Sequence, residues 1–477
     1  MRIEIKNFGP IDHLEFDLEK DIHLIYGKNS VGKSYAIYCV YLVLKNLTNQ
    51  LRTNNAYVFS DLAEELPEIF NFNLELLEVN QTLDITEEFK LAFGIFWYKI
   101  FGSSLKNSLL NTFSSISSLH NQYANQKFEI ILHNSKDLSF KVVSNNENDI
   151  KIIYQDKRFT KVNIKKESEY KILANDLFYE PEGDLLSTNQ VLNEIRLLIF
   201  QVLVNAISDV LINLKFLLHF LPASRSGLYQ GLNALGPIMA ELSKSRHLLR
   251  STKIELPTLS EPVSDYYLDI STVDKSRMNV EFQEMIDFLQ KEVLKGEVHY
   301  DNESKKIYYS PNDIDINLEL SKSSSMISEM SPLVIYLKHI INNKFDLENG
   351  YIDTSSVKEK MKSILFIEEP EAHLHPEIQV KLMELFTKLP KYGIKIFITS
   401  HSNYMFNKLN NMLIKKEVDS EKVVVYHLVK EENGTIDKKD MEVTPDGVND
   451  ENFQDVTEQL YYERLNYLEG DDDDKEN

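Results

Sequence analysis

The 477-residue sequence contains a single cysteine, Cys39. This excludes an internal disulfide framework and any zinc or iron–sulfur site built from several cysteines, and a reducing cytoplasm fits best. Positive charge is also scarce: 52 Lys and Arg against 74 Asp and Glu leave a net charge of −22. That balance disfavours a protein that coats DNA or an anionic membrane, although a local basic face can survive such averaging. A long unbroken apolar run is missing as well. The most apolar stretch, Ile195 to Leu221, contains Gln201, Asn205, Asp209, Asn213 and Lys215. These are too many polar groups for a bilayer span, so the stretch reads as a buried helix and no membrane partner is expected. Met1 to Lys6 lacks a signal-type apolar run and reads as a strand. No internal repeat is present. The residues that remain, 43% hydrophobic and 10% aromatic, rule out a wholly disordered chain and suffice for a sizeable core.

The two ends of the chain are patterned and the middle less so. Ile3 to Ile5, Leu14 to Asp17 and Ile22 to Tyr26 read as strands, followed by a helix through Tyr35, Cys39 and Leu44. Residues 45–125 and 184–250 read as mainly helical. Residues 128–180 read as short antiparallel strands, with Asn145-Asn146 at a turn. Met278 to Leu294 is an amphipathic helix and Gly296 to Tyr309 a hairpin. From Ser323 onward helices alternate with the strands Ile364 to Ile367, Ile394 to Ile398 and Val423 to Val429. That alternation implies a parallel α/β sheet. The acidic run around Asp471 to Asp474 is a solvated tail.

Gly27-Lys28-Asn29-Ser30-Val31-Gly32-Lys33-Ser34 matches G-x-x-x-x-G-K-[ST] in full, with a strand before it and a helix after. Glycines let backbone N–H groups turn inward as an anion cradle. Lys33 would reach terminal phosphates, and Ser34 would offer a hydroxyl to Mg²⁺. An ordinary glycine turn would need neither the lysine nor the hydroxyl. Ser363 to Glu371 is an apolar strand ending in the consecutive carboxylates Glu368 and Glu369. One carboxylate at such a strand end can hold Mg²⁺ and the next can deprotonate an attacking water. A solvated strand end beside a helix N-terminus is the plainer alternative. His401, in Thr399-Ser-His-Ser402, ends the neighbouring strand and would either polarise that water or serve a structural role. The H-x-H of His373 and His375 is weak as a metal motif, and packing is favoured for both. Ser321-Lys-Ser-Ser-Ser-Met326 precedes an apolar helix. Its serines are helix caps by default, and Pro332 in a first turn would make Ser331 a cap. The functional alternative is a phosphate-sensing helix end acting across a dimer interface.

Together the motifs resemble the ABC-type ATPases of the SMC and RecF kind, most closely the bacterial OLD-family and AAA-ATPase group. The resemblance rests on Ile5 to Phe8, Gly27 to Ser34, Ile364 to Pro376 and Thr399 to Ser402, with Glu368-Glu-Pro-Glu-Ala-His-Leu-His-Pro376 as its most specific piece. Leu221-Pro-Ala-Ser-Arg-Ser-Gly227 also resembles a segment of this group, without a role assignable from its chemistry. The resemblance implies an α/β P-loop ATPase head with a split core. Residues 1–50 would form its N-terminal half and 301–468 its C-terminal half. Between them, 51–300 would be a long, mainly helical insertion carrying a small antiparallel section at about 128–180, and 469–477 the tail. It further implies a homodimer or higher homo-oligomer with ATP sandwiched head to tail. Lys33 and Ser34 would bind phosphate and Mg²⁺, Glu368 would be the Mg²⁺-side carboxylate, Glu369 the catalytic base and His401 the switch histidine. Ser324 and Ser325 would reach the other subunit's γ-phosphate. Two departures stand out. Glu368 replaces the usual Asp, and Met326 stands where the signature glycine is usual.

No D-x-D on a strand follows His401 outside the acidic tail, so the Toprim nuclease common in OLD proteins is not expected. Similar stand-alone ATPases accompany a separate effector, often a nuclease, in phage-defence systems such as Septu and PARIS. The expectation is therefore an ATP-hydrolysing regulator of such an effector. The alternatives are an SMC- or RecF-like DNA-repair ATPase, which the charge disfavours, and a transporter subunit, which the long insertion disfavours.

Overall fold

The structure, a computed structural model, describes residues 1–52, 78, 80–133, 138–146, 148–156, 160–166, 170–174, 177–179, 197, 200–201, 216–232, 259–275, 278–341, 362–448 and 461–465. Eleven of the described strands form one mixed sheet. They are β1 (Arg2–Phe8), β2 (Ile11–Asp17), β3 (Ile22–Gly27), β4 (Glu129–His133), β5 (Leu138–Asn146), β6 (Asp149–Asp156), β7 (Phe216–Leu221), β8 (Lys362–Glu368), β9 (Ile394–Ser400), β10 (Val423–Glu431) and β11 (Gly434–Asp437). The order across the sheet is β7-β8-β9-β3-β10-β11-β2-β1-β4-β5-β6. The first five strands are parallel. β10 pairs β11 antiparallel, β11 pairs β2 parallel, and the rest of the sheet is antiparallel.

The parallel strands are mainly apolar because both of their faces are covered, with His23, His219, Lys395 and His427 as buried polar exceptions. Side chains alternate between faces along a strand, and two separate cores result. Ile25, Ile364, Phe366 and Phe397 join one core with Ala36, Ile37 and Val40 of helix α1 (Lys33–Arg52). Leu24, Leu365, Ile367, Ile396 and Ile398 join the other. That second core is completed by α5 (Ser325–Ile335), α6 (Pro376–Phe386) and α7 (Asn403–Ile414). Each such buried side chain contributes on the order of 1.5–3 kcal/mol relative to exposure. Over the antiparallel half lie α2 (Thr86–Trp97) and α3 (Ser103–Phe113), with Trp97 stacked on Phe140 at 5.0 Å between ring centroids. Helix α4 (Glu261–Ser271) is tied to α1 by Lys45, which bonds both Glu261 and Asp265 at 2.6 Å.

Several expectations change. The apolar run read as a helix from Ile195 to Leu221 ends in strand β7, paired parallel with β8 from Phe216↔Lys362 to Leu221↔Ile367. A short apolar run does not distinguish buried helix from buried strand. Most of its earlier residues, like most of 184–250, 51–77 and the tail, lie outside the described residues. The antiparallel strands expected at 128–180 are not one unit. β4 to β6 pair onto β1 and prolong the main sheet, with Ile130 and Leu132 buried. Val162–Lys166, Tyr170–Ala174 and Leu177–Tyr179 form a separate four-stranded sheet with Thr82–Asp84. The helix after the serine run starts at Ser325, with Ser324 as its cap, accepting from the Ile327 N–H at 3.5 Å. Ser331 and Pro332 are therefore interior, and Ser331 Oγ donates back to the Ile327 carbonyl at 2.7 Å instead of capping. His373 and His375 are exposed and not packed, and His375 caps α6 through the Glu377 N–H.

Candidate functional site

The parallel register sets three strand ends level. Glu368 pairs with Thr399, Thr399 with Ile25, Ser400 with Tyr26, and Gly27 with Leu428. The loops leaving β3, β8 and β9 therefore emerge side by side at the C-terminal edge, where ligands bind in open α/β sheets.

The β3–α1 loop needs its glycines. Gly32 has φ +89°, and a Cβ there would stand 2.8 Å from Pro10 Cγ. At Gly27 a Cβ would stand 2.6 Å from the Leu428 carbonyl oxygen. Ser30 also takes a left-handed conformation. Lys28, Asn29 and Ser30 line the exposed crest, with Val31 buried below. The Ala36 N–H bonds the Gly32 carbonyl at 3.0 Å, and amides ahead of the first helical bond are free to meet an anion.

Lys33 is only 6% exposed. Its Nζ donates to the carbonyls of Gly27 at 3.1 Å and Lys28 at 2.9 Å, and lies 3.4 Å from His401 Nδ1. Burial pulls its pKa down, opposed by the charges of Glu369, Glu371 and Glu368. Glu368, 3% exposed, ends β8 and accepts the Tyr38 hydroxyl at 3.0 Å. It is also hydrogen-bonded to the Ser34 hydroxyl and the Ala223 backbone. Burial raises its pKa, those bonds work against the rise, and the neighbouring Glu369 charge adds to it. Glu369 sits at φ 41°, a conformation a non-glycine residue adopts at a cost. Its N–H donates to the Thr399 carbonyl at 3.0 Å, and His401 Nε2 lies 3.4 Å from Oε1. That histidine contact, chiefly, lowers the Glu369 pKa.

Lys33, Ser34, Glu368, Glu369 and His401 thus converge on one strand edge. Ser324 and Ser325 do not join them. Both are exposed at the start of α5, and among the described residues neither is hydrogen-bonded to the cluster. Sequence reasoning gave no role to three contributors. Tyr38 lies one helical turn beyond Ser34, a spacing that could have flagged it. Glu371 Oε1 accepts the Ser400 hydroxyl at 2.8 Å and the His401 N–H at 2.6 Å, so it holds the strand end that carries His401. Glu329 is buried against Arg225, and no local pattern announces that pair.

The site's chemistry suits a hard cation bound together with phosphate. A hydroxyl and a carboxylate already face each other at Ser34 and Glu368, and these are oxygen donors of the kind Mg²⁺ takes. Among the described residues no cluster of three or more His, Cys, Asp or Glu could hold a metal by itself. No helix among them is long and apolar enough to cross a membrane.

A model of the AAA ATPase domain family matches residues 1–406. No curated protein matches the chain. Solved structures similar to it include an SMC head domain from Thermotoga maritima, at 9% identity and TM-score 0.32, covering 91% of this chain and 96% of that one. Another is an Smc head domain with an extended coiled coil bound to the C-terminal domain of ScpA derived from Pyrococcus furiosus. It is 12% identical, with TM-score 0.35, over 97% of this chain and 98% of the other.

Proposed function

The chain belongs to the AAA ATPase domain family, and we propose that it binds and hydrolyses ATP between two copies of itself and so regulates a separate effector protein, a nuclease, in anti-phage defence. The observation that carries the ATPase reading is the convergence of Lys33, the Ser34–Glu368 pair and the Glu369–His401 pair on one strand edge. The Gly27–Ser34 loop and the start of α1 cradle the β- and γ-phosphates. Mg²⁺, held by Ser34 and Glu368, would supply neutralising charge to the phosphates. Glu369 takes the proton of the attacking water as the bond from the γ-phosphorus to the bridging oxygen breaks, giving ADP and phosphate. Its lowered pKa keeps it ionised, and so competent as a base, throughout the neutral range. His401, between Lys33 and Glu369, orients the carboxylate and senses the γ-phosphate. Ser324 and Ser325, exposed on the N-terminus of α5, reach the γ-phosphate of the partner copy.

The effector reading is supported by the resemblance of the Glu368 to Pro376 run to defence ATPases and by the −22 charge, which disfavours DNA as the main partner. The test is purification with the products of neighbouring genes, in ATP and in ADP, beside nucleotide binding by the native chain and Lys33→Ala. The native chain binds ATP, releases phosphate and holds its partner in one nucleotide state, whereas Lys33→Ala binds no nucleotide. Unchanged ATP affinity in Lys33→Ala overturns the phosphate-loop reading. A partner held equally in both states overturns the regulatory one.

A further inference from the structure

The segment Leu221 to Gly227 carries an arginine whose side chain makes three hydrogen bonds and an ion pair beside the site. Arg225 is 2% exposed and Glu329 fully buried. The guanidinium Nε donates to the Glu329 carbonyl at 3.0 Å and lies 3.2 Å from its Oε2. Nη1 donates to the Pro222 carbonyl at 3.1 Å and to the Glu368 carbonyl at 3.1 Å. The Glu329 carboxylate also takes the Arg225 N–H at 3.1 Å, the Ser226 N–H at 3.2 Å and the Ser226 hydroxyl at 2.8 Å. One side chain therefore locks together the exit of β7, the body of α5 and the last residue of β8.

Those three places matter unequally. Glu329 lies one helical turn after Ser325, on the helix whose exposed start carries Ser324 and Ser325. The Glu368 carbonyl belongs to the peptide that joins the two acidic residues of the site. A buried ion pair is weak ground for stability, because desolvation offsets its attraction. Its planar fork of donors is instead suited to fixing several acceptors in one geometry, which a lysine cannot do.

We propose that Arg225 is a positioning residue for ATP hydrolysis. It couples the position of the Ser324–Ser325 helix end to the placement of Glu368 and Glu369, so that docking of α5 on the partner's nucleotide sets the carboxylates of its own site. This rests on the composite-site reading above, and the experiment separates the two.

Arg225→Lys, Ser325→Ala and the double variant are compared for thermal midpoint, MgATP affinity, KM and kcat. Arg225→Lys keeps a cation beside Glu329 but loses the bond to the Glu368 carbonyl. It is expected to bind MgATP within about threefold of native, with KM unchanged and kcat at least about tenfold lower. The double variant is expected to fall no further than the worse single variant, the signature of coupled residues. A kcat within about twofold of native, or losses that multiply in the double variant, overturn the proposal while leaving the composite site intact. A native chain without ATPase activity overturns both. If Arg225→Lys does not fold, Arg225→Met with Glu329→Leu removes both charges and takes its place in the cycle; if that also unfolds, the pair is purely structural and the proposal fails.

Discussion

Glu369→Gln separates the two adjacent carboxylates. The side chain is near half exposed, at 43%, and touches His401 at 3.4 Å. An amide of the same shape keeps an oxygen for that contact and leaves the backbone at φ 41° unchanged, so the thermal midpoint should stay close to native. The lost proton acceptor is the whole effect. Removing a general base costs typically 10²–10⁴-fold in rate, about 3–5 kcal/mol of barrier. MgATP affinity should hold, so the variant should accumulate as an ATP-trapped dimer. Phosphate release under saturating ATP measures the rate, and size-exclusion chromatography in ATP measures the trapped species. Glu368→Gln is the contrast. Burial raises the pKa of this acid, chiefly by desolvation. A raised acid contributes stability when protonated and loses it as pH rises through its folded pKa. A neutral amide therefore raises the thermal midpoint at pH 7 while weakening Mg²⁺-dependent nucleotide binding. Native turnover in Glu369→Gln refutes the base assignment; a lowered midpoint in Glu368→Gln refutes the electrostatic account of the pair.

Two further outcomes follow from other parts of the molecule. Ser325→Arg places a bulky cation on the exposed start of α5. It should abolish turnover with ATP binding by the single chain unchanged, and native turnover would remove the serines from the composite site. His23 is fully buried and stacks on Phe397 at 3.8 Å, and burial pushes its pKa down to about 3 from 6.5. The unfolded chain thus binds more protons between those pH values, so this contribution is complete above pH 6.5 and is lost as pH falls toward 3, on the order of 5 kcal/mol in full. His23→Leu should flatten thermal midpoint against pH across that window; an unchanged slope would show that His23 does not govern acid sensitivity.

The sequence by itself determined what depends on neighbours along the chain. Gly27 to Ser34 is legible because a phosphate cradle needs glycine at fixed offsets and a lysine and hydroxyl directly after them. The strands β8 and β9 are legible because covering both faces leaves mainly apolar residues in each run, Lys395 excepted, and Glu368 and Glu369 because their run ends in acid. The tertiary structure decided everything that depends on register and strand order. β3 enters between β9 and β10, and only that parallel insertion sets Lys33 beside His401 and Ser34 beside Glu368. Helix and strand are equally compatible with the apolar residues of β7; its pairing with β8 settled the matter. Arg225 and Glu329 lie 104 residues apart, and no local periodicity joins them. Their pairing follows from the fold bringing α5 against the residues that leave β7, because desolvation allows a buried charge only where the fold delivers its partner.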